Sequence, residues 1–188
     1  MKKTIAIIGV DGSGKSTLIN QLQERLGEKA VTKYMGSVRF EDKRIEEYAK
    51  KKSLSIIGVI RMQLLTYKCF WDRYKSAINS NKIVLFDRYV NERYINASGK
   101  YKVMNTILYK YLFPKPSYIF YLYCSAETSL KRKDDIPDKS VFIAMKNRFD
   151  DYYLNTKNCF CLNSDTHRAE ELTDLAYNHI LKLYNGKI

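Results

Sequence analysis

Short, almost continuous apolar runs alternate along this chain with stretches of helical periodicity. The runs at 5–9, 30–35, 83–87, 118–124 and 159–163 have the length of strands and too few polar positions for a sheet that faces water on one side. Between them, apolar residues recur at helical spacing over 16–26, near 41–51, most clearly over 54–79, and again over 103–112, 127–133, 140–154 and 168–184. Such alternation predicts an α/β fold, with a five-stranded, mostly parallel sheet covered by helices on both faces and ligands bound at the carboxyl ends of the strands. Pro114 and Pro116 punctuate the approach to the fourth strand, because proline ends helices and stiffens the chain. At 188 residues, 45% of them hydrophobic, the chain has the length of one such domain, 1–188, rather than two.

The first run leads directly into Gly9-Val10-Asp11-Gly12-Ser13-Gly14-Lys15-Ser16-Thr17. This stretch matches the phosphate-loop pattern G-x-x-x-x-G-K-[ST], and it lies between a strand and a helix, as the pattern requires. The glycines let the backbone turn its N–H groups inward around phosphate oxygens, Lys15 adds a point charge, and the Ser16 hydroxyl is placed to ligate Mg²⁺. A nucleoside triphosphate is the expected guest. The third run ends abruptly in Asp87-Arg88-Tyr89, and in a doubly wound sheet that ending falls beside the phosphate loop. There Asp87 is suited to hold Mg²⁺ directly or through water, and Arg88 has the fork geometry that grips a phosphate.

Charge and cysteine content change this picture little. The formal charge of +13 comes from 33 Lys and Arg against 20 Asp and Glu. The basic residues are spread over the whole chain, which fits solvated faces better than a nucleic-acid tract, and the 16 tyrosines form no aromatic and basic ladder. Met1-Lys2-Lys3 before an apolar run faintly suggests a leader, but the run breaks at Asp11 and no small-residue cleavage site follows. No segment has the roughly 20 apolar residues of a membrane span, so the expected location is the cytoplasm. Cys69, Cys124, Cys159 and Cys161 lack zinc-type spacing and read as reduced, packed thiols. His167 and His179, both in the last helical region, read as surface or packing residues.

The phosphate loop, Asp87-Arg88-Tyr89 after a buried strand, and Pro116 before a strand that leads to Ser125-Ala126-Glu127 and Leu130-Lys131-Arg132 together resemble thymidylate kinase and its close nucleotide-kinase relatives. The resemblance covers most of the chain. It implies a three-layer P-loop kinase fold and ATP- and Mg²⁺-dependent phosphoryl transfer to a nucleoside monophosphate, dTMP to dTDP above all. It further implies that Asp11 contacts the acceptor sugar, Lys15 holds the transferred phosphoryl group, Ser16 and Asp87 serve the metal, and Arg88 bridges donor and acceptor phosphates. A short lid around 131–139 would bring in Arg132, flanked by Lys131 and Lys133. The segment Asn163-Ser164-Asp165-Thr166 would border the donor adenine. Arg61 and Arg73 are alternative counterparts of the helix arginine that meets the acceptor, and the family's homodimer would pack through long helices.

Two stretches depart from the family pattern. Lys33-Tyr34-Met35-Gly36-Ser37 replaces an Arg-Glu-Pro-Gly-Gly run, and Val90-Asn91-Glu92-Arg93-Tyr94 replaces a small, serine-rich one. Both fall on the acceptor side, which keeps open a kinase of a nucleoside, sugar or other small alcohol, with Asp11 or Asp87 taking the hydroxyl proton. A GTP switch is disfavoured, since there is no Asn-Lys-x-Asp signature and no Asp-x-x-Gly after the loop. A nucleic-acid-driven NTPase ranks lower too, because Asp87 is followed by Arg88 rather than by a second carboxylate.

Overall fold

Ile5, Ala6, Ile7 and Ile8 are completely buried, and the strand that carries them, β1 (Thr4–Ile8), runs through the middle of the sheet. The computed structural model describes residues 3–39, 41–51, 54–133 and 135–184. Met1 and Lys2 of the leader-like stretch, and Asp134 of the expected lid, lie outside them.

β1 leads into α1 (Lys15–Leu26), and β2 (Ala30–Tyr34) follows. Next come α2 (Lys43–Lys50) and the long α3 (Ile56–Ile78), started by Ser55, whose hydroxyl accepts from Gly58 N. β3 (Ile83–Asp87) precedes the short α4 (Asn91–Ile95) and then α5 (Lys100–Asn105), which continues as a π-helix over Thr106–Leu112. β4 (Tyr118–Tyr123), α6 (Ala126–Arg132), α7 (Lys139–Tyr153), β5 (Cys159–Asn163) and α8 (Ala169–Leu183) complete the chain.

All five strands are parallel, in the order β2-β3-β1-β4-β5. Both faces are covered. Ile5 and Ile7 belong to a cluster with Leu18 and Leu22 of α1 and Leu172, Ala176 and Ile180 of α8. Ala6 and Ile8 point the other way, into a second cluster with Phe70 and Tyr74 of α3, Tyr109 of the π-helix, and Phe149 and Tyr153 of α7. Burial on both sides is the reason the strands read as unbroken apolar runs. The pairing Ile7↔Asp87 sets the ends of β1 and β3 side by side, and the chain crosses to the far side of β1 only after β3. That reversal opens a crevice at the carboxyl edge of the sheet.

Candidate active site

The phosphate loop leaves β1 and turns tightly enough for Ser13 N to donate to Val10 O at 3.2 Å. Gly9 and Gly12 are required by space, and Gly14, at φ +95°, by conformation alone. A Cβ on Gly9 would lie 2.4 Å from the Leu122 carbonyl oxygen. Gly12 has φ +80°, and a Cβ there would meet Ser129 O of α6 at 2.6 Å. α1 then starts at Lys15 with its free N–H groups facing the loop.

Lys15 is buried, and its Nζ donates to Val10 O at 2.7 Å. Burial lowers its pKa from 10.5 to about 8, and Arg88 pushes the same way against the attraction of Asp11, Glu92 and Asp87. An ammonium so poorly solvated gains strongly from an arriving phosphate.

Arg88 follows β3 in a left-handed conformation, φ 63°, uncommon for a residue with a side chain. Its N–H is fixed to Ile7 O at 3.0 Å. The guanidinium donates to Asp11 Oδ1 at 2.5 Å and to Glu92 Oε2 at 3.2 Å, which aims it back over the phosphate loop. Burial raises the Asp11 carboxyl, but Arg88, Lys15 and Lys133 outweigh it and hold the pKa low. Asp87 and Glu92 are raised instead, burial in each case outweighing the neighbouring cations.

Asp11, Gly12, Gly14, Lys15, Ser16, Thr17, Asp87, Arg88 and Arg132 thus share one cavity of about 510 Å³, which Tyr34 and Lys133 complete. Ser16 and Thr17 are exposed and line the same cavity as Asp87. A hydroxyl and one carboxylate suit Mg²⁺, which takes few protein ligands and fills its shell with phosphate oxygens and water. Among the described residues no group of three or more His, Cys, Asp and Glu forms a metal cage. Arg132 reaches the loop from α6, with Nη1 3.0 Å from Ser164 Oγ and Nη2 2.9 Å from Ser164 O. It also lines a smaller cavity of about 190 Å³ with Thr17, Leu122, Ser164 and His167, beside the segment that the resemblance implies would border the donor adenine. His167 was not expected near a ligand, and as an exposed residue after β5 it carries no periodic signal.

The acceptor side differs more from expectation. A cavity of about 490 Å³ lies beside the phosphate site, bordered by Met35, Gly36 and Ser37 after β2, by Gln63 and Phe70 of α3, and by Glu92 and Arg93 of α4. Neither Arg61 nor Arg73 borders it. Arg61 is exposed. Arg73 is spent on the loop after β2, with Nε donating to Glu41 at 2.8 Å, Nη1 to Gly36 O at 3.3 Å and Nη2 to Ser37 O at 3.1 Å. The cation that does line the cavity is Arg93, whose Nη2 lies 3.5 Å from Gln63 Oε1 and whose guanidinium sits over the Tyr109 ring. Glu92 could have been found from its position four residues after Arg88, the spacing of a helical ion pair. Arg93 could not, because α4 is too short to show a period, and Gln63 could not, because the period of α3 marks its buried face without saying what that face meets.

Known structures share this architecture. Thymidylate kinase from Candida albicans superposes with a TM-score of 0.71 at 19% identity, covering 97% of this chain and 92% of that one. A deoxyadenosine kinase from M. mycoides, solved with the products dCMP and dCDP, gives 0.67 at 17% identity over 95% and 99%. Thymidylate kinase from Ehrlichia chaffeensis gives 0.62 at 17% over 96% and 98%. No curated protein matches the chain by sequence. The thymidylate kinase family model matches residues 7–174, from the strand before the phosphate loop into the last helix, and the chain is therefore a member of the thymidylate kinase family, a phosphotransferase acting on nucleotides.

Proposed function

We propose that the chain transfers the γ-phosphoryl group of ATP to a nucleoside monophosphate in a Mg²⁺-dependent reaction, with dTMP to dTDP the form that family membership implies. The observation that carries this reading is the meeting of Lys15, Ser16, Asp87, Arg88 and Arg132 around one cavity with a second cavity beside it. Phosphoryl transfer needs positioning and charge neutralisation more than covalent help from the protein. Lys15 and Arg88 would hold the transferred group between donor and acceptor, and Arg132 would close over it from a lid at 131–139. Ser16 and Asp87 would hold Mg²⁺, which would neutralise the triphosphate oxygens. Asp11, released from Arg88 by incoming phosphate, would be free for the acceptor sugar. An acceptor phosphate is already a nucleophile and needs no general base. In this reading residues 1–188 work as one cytoplasmic domain, paired as a homodimer through its long helices.

One observation favours a second reading, phosphorylation of a hydroxyl acceptor such as a nucleoside. Glu92 lines the acceptor cavity, is paired with Arg88, and burial raises its carboxyl above the ordinary glutamate value, outweighing Arg88 and Lys15. An ADP-release assay over thymidylate, other monophosphates, nucleosides and sugars separates the two. The monophosphate reading expects turnover with monophosphates, retained at about wild-type kcat within an order of magnitude in Glu92→Gln. Turnover confined to nucleosides, and lost in Glu92→Gln, would overturn it in favour of the second.

A further inference from the structure

α4 is five residues long and has no side-chain cap at its start, and a helix of that length is unstable on its own. It nevertheless carries Glu92, which follows Arg88 by four residues and receives the guanidinium on Nη1 while Asp11 receives Nη2. Where the Glu92 carboxylate sits is therefore decided by what clamps α4 from outside. On one flank Asn105 of α5 donates to the Arg93 carbonyl at 2.8 Å. On the other, Tyr94 meets Tyr152 of α7, the two hydroxyls 2.6 Å apart and the rings edge to face at 5.8 Å.

Tyr152 stands on a firm support. Two residues before it, Asp150 accepts from Tyr121 of β4 at 2.6 Å and from Lys146 at 2.5 Å. Tyr153 is fully buried and stacks on the same Tyr121, ring centroids 4.8 Å apart. α7 is thus fixed to the sheet, and the tyrosine pair passes that fixed position on to α4. Neither Tyr94 nor Tyr152 borders the phosphate cavity or the acceptor cavity, so any effect they have on the reaction is exerted through other residues.

We propose that Tyr94 and Tyr152 are positioning residues for phosphoryl transfer: their hydroxyl pair sets α4, and α4 sets the Glu92 carboxylate that aims Arg88 at the transferred group. A phosphate arriving at Arg88 competes with Asp11 for Nη2, and Glu92 on Nη1 is then the anion left to orient the fork. Aim matters here, because a reacting group misplaced by about 1 Å can cost about a hundredfold in rate. The inference rests on the reading of Arg88 as the residue that grips the transferred group.

Tyr94→Phe, Tyr152→Phe and the double variant keep both rings and remove one or both hydroxyls. Each single variant strands the other hydroxyl in a half-buried site and is expected to lower Tm, whereas the double variant strands neither and should regain it. ADP release with ATP and dTMP then separates positioning from structure. In the double variant kcat should stay about three- to tenfold down although Tm has returned, with KM for ATP unchanged. In Glu92→Ala, where α4 has lost its hold on Arg88, adding Tyr152→Phe should change kcat no further. A double variant at wild-type kcat, or losses that simply multiply in the Glu92→Ala background, overturns the proposal. The nitrogen-edited NMR spectrum of the arginine side chains in the free protein reads the same link without turnover. The Arg88 Nη signals, identified by their loss in Arg88→Lys, should exchange with solvent about three- to tenfold faster in the double variant than in the wild type. Unchanged exchange overturns the proposal whatever the acceptor is. Faster exchange in an enzyme that phosphorylates no acceptor would keep the role of the tyrosine pair and remove the kinase reading.

Discussion

Lys15 shows how much of this site depends on one ammonium kept short of solvent. Its pKa in the free protein is about 8, below its ordinary 10.5, because burial removes water that the charged form needs. The unfolded chain therefore binds the proton more strongly between those values, and the stability of the free protein rises with pH across that window. A bound triphosphate reverses the balance by placing negative charge against Nζ and drawing a proton back onto it. ATP binding is then expected to take up close to one proton at about pH 9, with affinity falling roughly tenfold per unit as pH rises above about 8. Calorimetry in two buffers of different ionisation enthalpy checks this, and in Lys15→Met the uptake should vanish. A flat affinity profile over that range would mean that Lys15 is already fully charged in the free protein.

At the scale of elements, Arg73 has become part of the scaffold. Its guanidinium ties α3 to the loop after β2 through Glu41 and the carbonyls of Gly36 and Ser37, and only 12% of its side chain is exposed. Removing it takes a donor from the half-buried Gly36 carbonyl and breaks the ties to Ser37 and Glu41, so Arg73→Met is expected to cost about 1–3 kcal/mol in a urea titration. Arg61→Ala, at an exposed position, should stay within roughly 0.5 kcal/mol. Equal effects of the two would refute the scaffold role. The same contrast shows what the sequence could and could not reveal. Continuous apolar runs located all five strands, and the glycine pattern after Ile8 located the phosphate loop, because both signals are local. Arg61 and Arg73 looked equivalent since helical spacing reports a face and not what covers it. Gln63 and Arg93, like Tyr94 and Tyr152, lie on different helices, and no spacing pattern links residues that meet only through packing. The turn of π-helix at Thr106–Leu112 was hidden for a related reason, since its spacing has no counterpart in the 3.6-residue period.

For the whole molecule the unresolved balance lies on the outer face of α3 and the α5–π segment. Ile56, Ile57 and Leu64 are 76%, 63% and 52% exposed, and Val103, Tyr111 and Leu112 on the neighbouring segment are 68%, 69% and 61% exposed. A net charge of +13 would favour dispersal of monomers, yet α3 packs against α5 and both the long helix and the α5–π segment expose large apolar residues. Apolar surface gathered in this way is a feature of interfaces more than of free surfaces, and a second copy of the chain is the partner proposed for it. In a two-fold arrangement each substitution enters the interface twice, so the double variant Ile57→Lys, Leu64→Glu would bury four charges. Sedimentation equilibrium is expected to give a dimer for the wild type and, for the variant, a dissociation constant raised by about two orders of magnitude or more. Lysine and glutamate can pair across the axis, so the single variant Leu64→Asn serves as the control that removes the apolar contact without adding a charge. A wild type that sediments as a monomer at every salt concentration would show that charge dispersal outweighs the apolar face, and would remove the homodimer from the proposed function.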